Sequence, residues 1–146
     1  MTIRKGEPWG GSGALLKSSP IVSRDRDLAR LIQELRREPR SETDQIEVGL
    51  LGGDLHRSLG APPHSPEDLL SGKGQRLPID IGIVEFDSKG KTQQWVFVAH
   101  LLARVGRLGG IWNGRSAIVM NGSFMGSANL GPRAHPNDGR LDVLDG

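Results

Sequence analysis

An α+β fold is predicted by two distinct hydrophobic periods along the 146-residue chain and by its turn content. One apolar stripe of helical spacing, Leu28, Leu31, Ile32 and Leu35, lies in the first third, whereas alternation with a period of two governs much of the stretch from Leu77 to Leu144. The 21 glycines and 9 prolines favour many turns and short elements over a helical bundle. The expected layout is an irregular arm over 1–20, a small α/β lobe over 21–76, and an antiparallel, sandwich-like β-rich lobe over 77–146.

The arm holds Gly6, Pro8, Gly10, Gly11 and Gly13 and runs up to Pro20, which leaves loop or pinned extended chain, with Trp9 as a packing anchor. Ile21-Val22 reads as a strand end. A helix is expected over Asp25–Glu38, capped by Ser23 or Asp25 and stopped by Pro39. Its Arg24, Arg26, Arg30, Arg36 and Arg37 face reads as solvated surface. Ile46–Leu51 reads as a buried strand running into Gly52-Gly53-Asp54, so strand, helix and strand make a βαβ unit. Two short helices should follow, Asp54–Leu59 with Asp54 as cap, and Pro66–Leu70 with Ser65 as cap and proline at its first position.

From Leu77 the pattern changes. Ile79, Ile81 and Ile83 alternate, and Asp87-Ser88-Lys89-Gly90-Lys91 signals a hairpin. The return strand is expected to run unbroken, with Trp95, Phe97, Ala99 and Leu101 on one face and Val96, Val98 and His100 on the other. Glycines at 106, 109, 110 and 114 mark a loop before a strand over Arg115–Asn121. A final strand is expected over Leu141–Leu144.

A formal charge of +2 is too small to hold a polyanion over a whole face, and no basic stripe forms, so nucleic acid is not an expected partner. The absence of cysteine rules out disulfides and thiolate chemistry and fits a reducing compartment. No apolar core of a signal peptide follows Met1–Gly6, and the longest apolar run falls far short of the roughly 20 residues of a membrane-spanning helix. A cytoplasmic protein is expected, with any lipid contact confined to its surface.

Gly52-Gly53-Asp54 has the chemistry of a phosphate-approaching turn, because glycines admit close contact and helix-start N–H groups attract anions. A tight turn with an aspartate cap explains it equally. The densest polar segment is Pro132–Asp142, in which Asn137-Asp138-Gly139 is a turn sequence. Carboxylate and carbonyl oxygens gathered by such a loop suit Mg²⁺ or Ca²⁺, with Asp138 as the best side-chain ligand. His56, His64, His100 and His135 lack zinc-ligand spacing. Asp54, Asp80, Asp138 and Asp142 include the candidates for a general base, and no Walker loop or nucleophile elbow is present.

Asn121-Gly122-Ser123-Phe124-Met125-Gly126, followed by Gly131–Val143 with Asp138-Gly139-Arg140-Leu141-Asp142, resembles the diacylglycerol kinase family of the NAD kinase-like superfamily. Pro78–Gly82 and Phe97–His100 resemble the first strand pair of that family's β-rich domain. The pattern, running from about residue 46 to the end, is similar to short actinobacterial members. The resemblance implies a nucleotide-binding-like α/β lobe in which Gly52, Gly53 and Asp54 form the turn under the ATP phosphates. It also implies a magnesium site made by Asp138 with the carbonyls of His135 and Arg140, and contacts to a lipid headgroup. Where the family has glycine and a hydroxyl residue after Gly-Gly-Asp, this chain has Leu55 and His56, and the branched Leu55 is expected to obstruct phosphates. No Asn-Pro-x-x-Gly loop appears in residues 1–20, and the chain stops at Gly146, before the segment that would carry the family's late acid.

The resemblance therefore implies a divergent, truncated lipid-kinase-type protein that binds nucleotide or a lipid headgroup with weak or no phosphotransfer. An active ATP-dependent lipid or small-molecule kinase, completed by oligomerisation, is one alternative. A non-catalytic structural or interaction domain is the other. Missing C-terminal strands would leave an apolar edge suited to homo-oligomers, and peripheral membrane contact fits the lipid reading.

Overall fold

Residues 9–37, 46–104 and 116–146 are described by the structure, a computed structural model. Glu38, Pro39, the loop glycines 106–114, Arg115 and the first eight residues of the arm lie outside the described residues. In chain order the elements are β1 (Gly11–Ser12), β2 (Ile21–Val22), α1 (Asp25–Leu35), β3 (Gly49–Leu50), α2 (Gly53–Ser58), α3 (Pro66–Leu70), β4 (Gln75–Arg76), β5 (Gly82–Ser88), β6 (Lys91–Phe97), β7 (His100–Arg104), β8 (Ser116–Met120), β9 (Phe124–Met125), β10 (Ala128–Asn129) and β11 (Asp142–Asp145). Short helices and many antiparallel strands make the chain α+β.

The apolar stripe of α1 faces inward, with Leu28 and Ile32 buried, while its arginine-bearing face is exposed. Strands β2 and β3 pair in parallel, so α1 is the crossover of a βαβ unit. The second strand is shorter than the apolar run 46–51 suggests. Its partner offers only Ile21 and Val22, because Pro20 has no N–H to extend the ladder and the chain turns into α1 just after Val22. The arm is pinned, since β1 pairs with β4 and the Trp9 ring meets the edge of the His135 ring at 4.7 Å between centroids.

Neither Ser23 nor Asp25 caps α1: its N-cap is Arg24, which makes no side-chain cap bond. By contrast, α3 forms as its sequence predicts. Ser65 and Asp68 make a reciprocal capping box behind Pro66, and the Ser65 amide, then the Lys73 ammonium, hold the Asp68 carboxyl down at about 2.

The hairpin β5–β6 turns at Lys89 and Gly90, both at positive φ, the backbone geometry that a two-residue hairpin turn demands. Its ladder starts at Gly82, so Ile79 and Ile81 lie before the strand and pack on the core instead. Gly82 is required by close approach, because a Cβ there would meet the Phe97 ring at 2.1 Å. The Gln33 side chain of α1 shields the outer edge of β6: its Nε2 donates to the Gln94 carbonyl at 3.0 Å, and its Oε1 accepts from the Val96 N–H at 2.8 Å. A side-chain amide thus does what a further strand would do.

The return strand is not continuous. It ends at Phe97, the chain bends at Val98 and Ala99, and β7 begins at His100 in a different sheet, ordered β11-β8-β7. The cause lies in Asn121. Its Nδ2 donates to the Val98 carbonyl at 2.8 Å, while the Asn121 and Gly122 N–H groups both reach the Ala99 carbonyl, at 2.8 and 3.0 Å. The two carbonyls that a straight ladder would use are thereby taken up at the bend. Val98 and Ala99 join Leu28, Ile32 and Leu55 in one core, edged by Val22, Leu50, Ile79, Ile81 and Val96. Residues from both expected lobes build this core. The last strand runs one residue later than its sequence suggests, from Asp142 to Asp145.

Candidate functional site

Two regions carry the predicted site residues. The first is the entrance to α2. Gly52 is extended, and a Cβ on it would lie 2.6 Å from the Ser23 carbonyl oxygen. Gly53 has φ +95, and its Cβ would meet Asp25 Oδ1 at 2.4 Å. Both glycines therefore answer to the β2–α1 junction pressed against them.

Asp25 sits in that junction with its carboxylate on the start of α2. Oδ2 accepts from the Asp54 N–H at 2.5 Å and Oδ1 from the Leu55 N–H at 3.2 Å. These are the helix-start donors that an anion would otherwise meet. Burial pushes the Asp25 carboxyl up, and the negative charge of Asp54 adds to this; the two amide bonds and His100 pull the other way. Side-chain capping of α2 from within is absent, so the expectation that Asp54 caps it is corrected: the cap is Asp25, 29 residues upstream.

Asp54 turns its own carboxylate toward the β9–β10 connection. Oδ2 accepts from the Gly126 N–H at 2.9 Å and lies 3.6 Å from His100 Nδ1, and Oδ1 lies 3.3 Å from Arg57 Nη1. Arg57 also donates to the Gly126 carbonyl. Ser58 Oγ donates to the Asp54 carbonyl and accepts from the Phe124 N–H, which fastens α2 to β9. Leu55 does not obstruct the turn: it is 1% exposed and belongs to the core. What closes the turn is Asp25.

The second region is an open cleft of about 450 Å³ lined by Ile79, Asp80, Ile81, Asn121, Gly139, Arg140 and Leu141. Asp80 organises one wall. Its N–H donates to the Pro136 carbonyl at 2.7 Å, and its Oδ2 accepts from the Gly139 N–H at 2.8 Å. The loop is an Asx turn, in which Asp138 Oδ1 accepts from the Arg140 N–H at 2.9 Å, with Gly139 at φ +69. Asn121, fully buried, forms the floor. Its Nδ2 joins the Asp80 and Val98 carbonyls, both at 2.8 Å, and its Oδ1 has no hydrogen-bond partner among the described residues.

The structure brings Asp80 against the loop that carries Asp138 and Arg140, with Asp80 and Arg140 lining the cleft. It sets Gly52, Gly53 and Asp54 against Asp25, His100 and the 124–126 turn instead, and none of the three lines the cleft. Asp142 lies exposed on β11. Of the three oxygens expected to hold magnesium, Asp138 Oδ1 and the His135 carbonyl already accept from Arg140 and Asn137. Among the described residues, no group of three or more His, Asp or Glu side chains is placed to hold a metal ion. As placed, these residues form a turn.

Asp25 and Asn121 are the contributors that sequence reasoning did not assign to a site. Asp25 carried one signal, an acid just after a strand whose parallel neighbour ends in two glycines. Comparison with protein-family models, with curated proteins and with solved structures finds no match to the chain.

Proposed function

We propose that this chain is a divergent lipid-kinase-type protein that holds a polar headgroup of the glycerol phosphate class in the cleft between 79–81 and 139–141, with little or no phosphoryl transfer. The observation that carries this reading is the Asp25 carboxylate bonded to the Asp54 and Leu55 N–H groups. Phosphoryl transfer depends on positioning and on neutralising developing charge. A fixed carboxylate on the donors of the turn repels a phosphate and occupies its partners, so the nucleotide half of the expected site is closed.

The cleft differs in carrying a cation beside its carboxylate. Arg140 offers a planar cation for a phosphate, the Asp80 carboxylate, already bonded to the Gly139 N–H, offers an acceptor for a hydroxyl, and Ile79, Ile81 and Leu141 offer apolar wall for an attached chain. An active ATP-dependent kinase would need Asp25 to withdraw, leaving two helix-start amides without a partner.

Calorimetric titration with sn-glycerol 3-phosphate tests the reading. Arg140→Gln is expected to weaken binding about tenfold, the usual effect of losing a charge-assisted hydrogen bond. Incubation with ATP, Mg²⁺ and diacylglycerol should give no phosphatidate above background. Equal binding by Arg140→Gln and wild type would remove the headgroup cleft, and turnover at the roughly 1 s⁻¹ or more of working kinases would restore the active-kinase reading.

A further inference from the structure

Directly opposite residues of an antiparallel pair share a face and successive residues alternate, so the register of the β5–β6 hairpin sorts its side chains without ambiguity. One face carries Val84, Phe86, Trp95 and Phe97, ending at Lys91 beside the Lys89-Gly90 turn. The other carries Glu85, Asp87, Thr92 and Gln94 beyond Ile83 and Val96. Every acid of the hairpin lies on that second face, where Glu85 bonds Gln94 and Asp87 bonds Thr92. The first face has no acid; Lys91 stands at its outer end, and Lys89 lies in the turn just beyond the ladder.

The hairpin is about 20 Å long: it is buried at Gly82 and Phe97, flanked by α1 through Gln33 at Val96 and Gln94, and exposed on β6 from Trp95 to Lys91. A two-stranded ribbon is marginal in water, and this one is stapled by Phe86 and Trp95, edge to face at 4.5 Å between ring centroids. Trp95 is nevertheless 57% exposed. An indole held outward on a rigid strand, with lysines farther along and the acids turned away, matches the aromatic and cationic composition of the membrane–water interface. Among the described residues no helix is long and apolar enough to cross a membrane.

We propose that the β5–β6 hairpin is a docking arm that lays its Phe86–Trp95 face on an anionic bilayer surface, with Lys89 and Lys91 among the headgroups. The occupant is a lipid surface because the charge sorting complements one: cations at the tip of the aromatic face and all carboxylates on the reverse. This stands apart from the headgroup cleft, which the arm does not line.

Co-sedimentation with phosphatidylcholine vesicles, with and without phosphatidylserine, tests the arm. The wild type should sediment with the phosphatidylserine vesicles, and free sn-glycerol 3-phosphate should not release it, which separates the arm from the cleft. Trp95→Gln should lower partitioning about tenfold through lost apolar burial. Charge reversal at Lys89 and Lys91, which leaves the aromatic staple intact, should lower it by more than about fivefold per lysine, the loss expected from neutralisation alone, on anionic vesicles only. Glu85→Gln should leave it unchanged or raise it slightly. The proposal is overturned by a wild type that binds neither vesicle, by charge-reversed protein that binds as the wild type does, or by a vesicle-free dimer that Trp95→Gln dissociates, which would give the face to a second copy of the chain.

Discussion

Asn121→Leu is expected to lower the unfolding free energy by about 2–4 kcal/mol, read from urea denaturation. Leucine has the branching of asparagine but is bulkier and cannot donate, so the Asp80 and Val98 carbonyls each lose the Nδ2 bond that holds them at 2.8 Å and the fully buried site is overpacked. An unsatisfied buried polar group costs about 1–3 kcal/mol, and here the buried Val98 carbonyl and the part-buried Asp80 carbonyl lose their donor together. The backbone bonds from Asn121 and Gly122 to the Ala99 carbonyl would remain. The loss should therefore be local to the bend between the hairpin and β7 and to the Asp80 wall of the cleft. A loss below about 1 kcal/mol would mean that water replaces the amide at both carbonyls.

Asp25→Ala is expected to cost about 2 kcal/mol near neutral pH, because the Asp54 and Leu55 N–H groups lose their acceptor at a part-buried helix start. Asp25→Asn should cost less, since its amide oxygen still accepts one of the two. The pH dependence separates charge from geometry. The carboxyl of Asp25 is raised above 3.8, chiefly by burial, so the folded state binds its proton more readily than the unfolded chain does. Its contribution is then fully present below 3.8 and declines as pH rises through the raised value. Asp25→Asn carries no such titration, so the stability advantage of the wild type over this variant should be greatest in acid and narrow as pH rises through that window. A difference that widens with pH would mean that the amide bonds outweigh desolvation at this carboxylate.

Local chemistry made much of the fold legible. The stripe Leu28, Leu31, Ile32, Leu35 specifies α1 through a period that nothing distant needs to supply, and Ser65-Pro66 with Asp68 specifies α3 through its own capping groups. Lys89-Gly90 between alternating segments specifies the hairpin turn. The features that were not legible depend on residues far apart in sequence. The strand from Trp95 was expected to continue because Val98 and Ala99 keep the alternation, yet Asn121, 23 residues later, claims the Val98 carbonyl and bends the chain. Asp25 reads as a cap for its own helix and instead caps another.

The site was legible in part for the same reason. Gly52 and Gly53 announce close backbone approach, but a sequence does not say what approaches; here it is the Ser23 carbonyl and the Asp25 carboxylate. The 135–140 loop was recognised as a turn bearing Asp138, and it is one. That Asp80 would reach across to the Gly139 N–H, and that the wall so formed would open beside Asn121, follows from the packing of the hairpin entrance against the C-terminal loop. Periodicity carries no information on that meeting.

The proposed site has two halves, a headgroup cleft beside Asp80 and Arg140 and a turn at Gly53–Leu55 closed by Asp25. Backbone amide chemical shifts, recorded on one isotope-labelled sample first with sn-glycerol 3-phosphate and then with ATP and Mg²⁺, address both halves. Saturable shifts at Ile79, Asp80, Gly139, Arg140 and Leu141 with the first ligand, and unmoved Gly53, Asp54 and Leu55 with the second, are the predicted result. Shifts at Gly53–Leu55 on adding ATP, with the cleft residues silent toward glycerol phosphate, would contradict it.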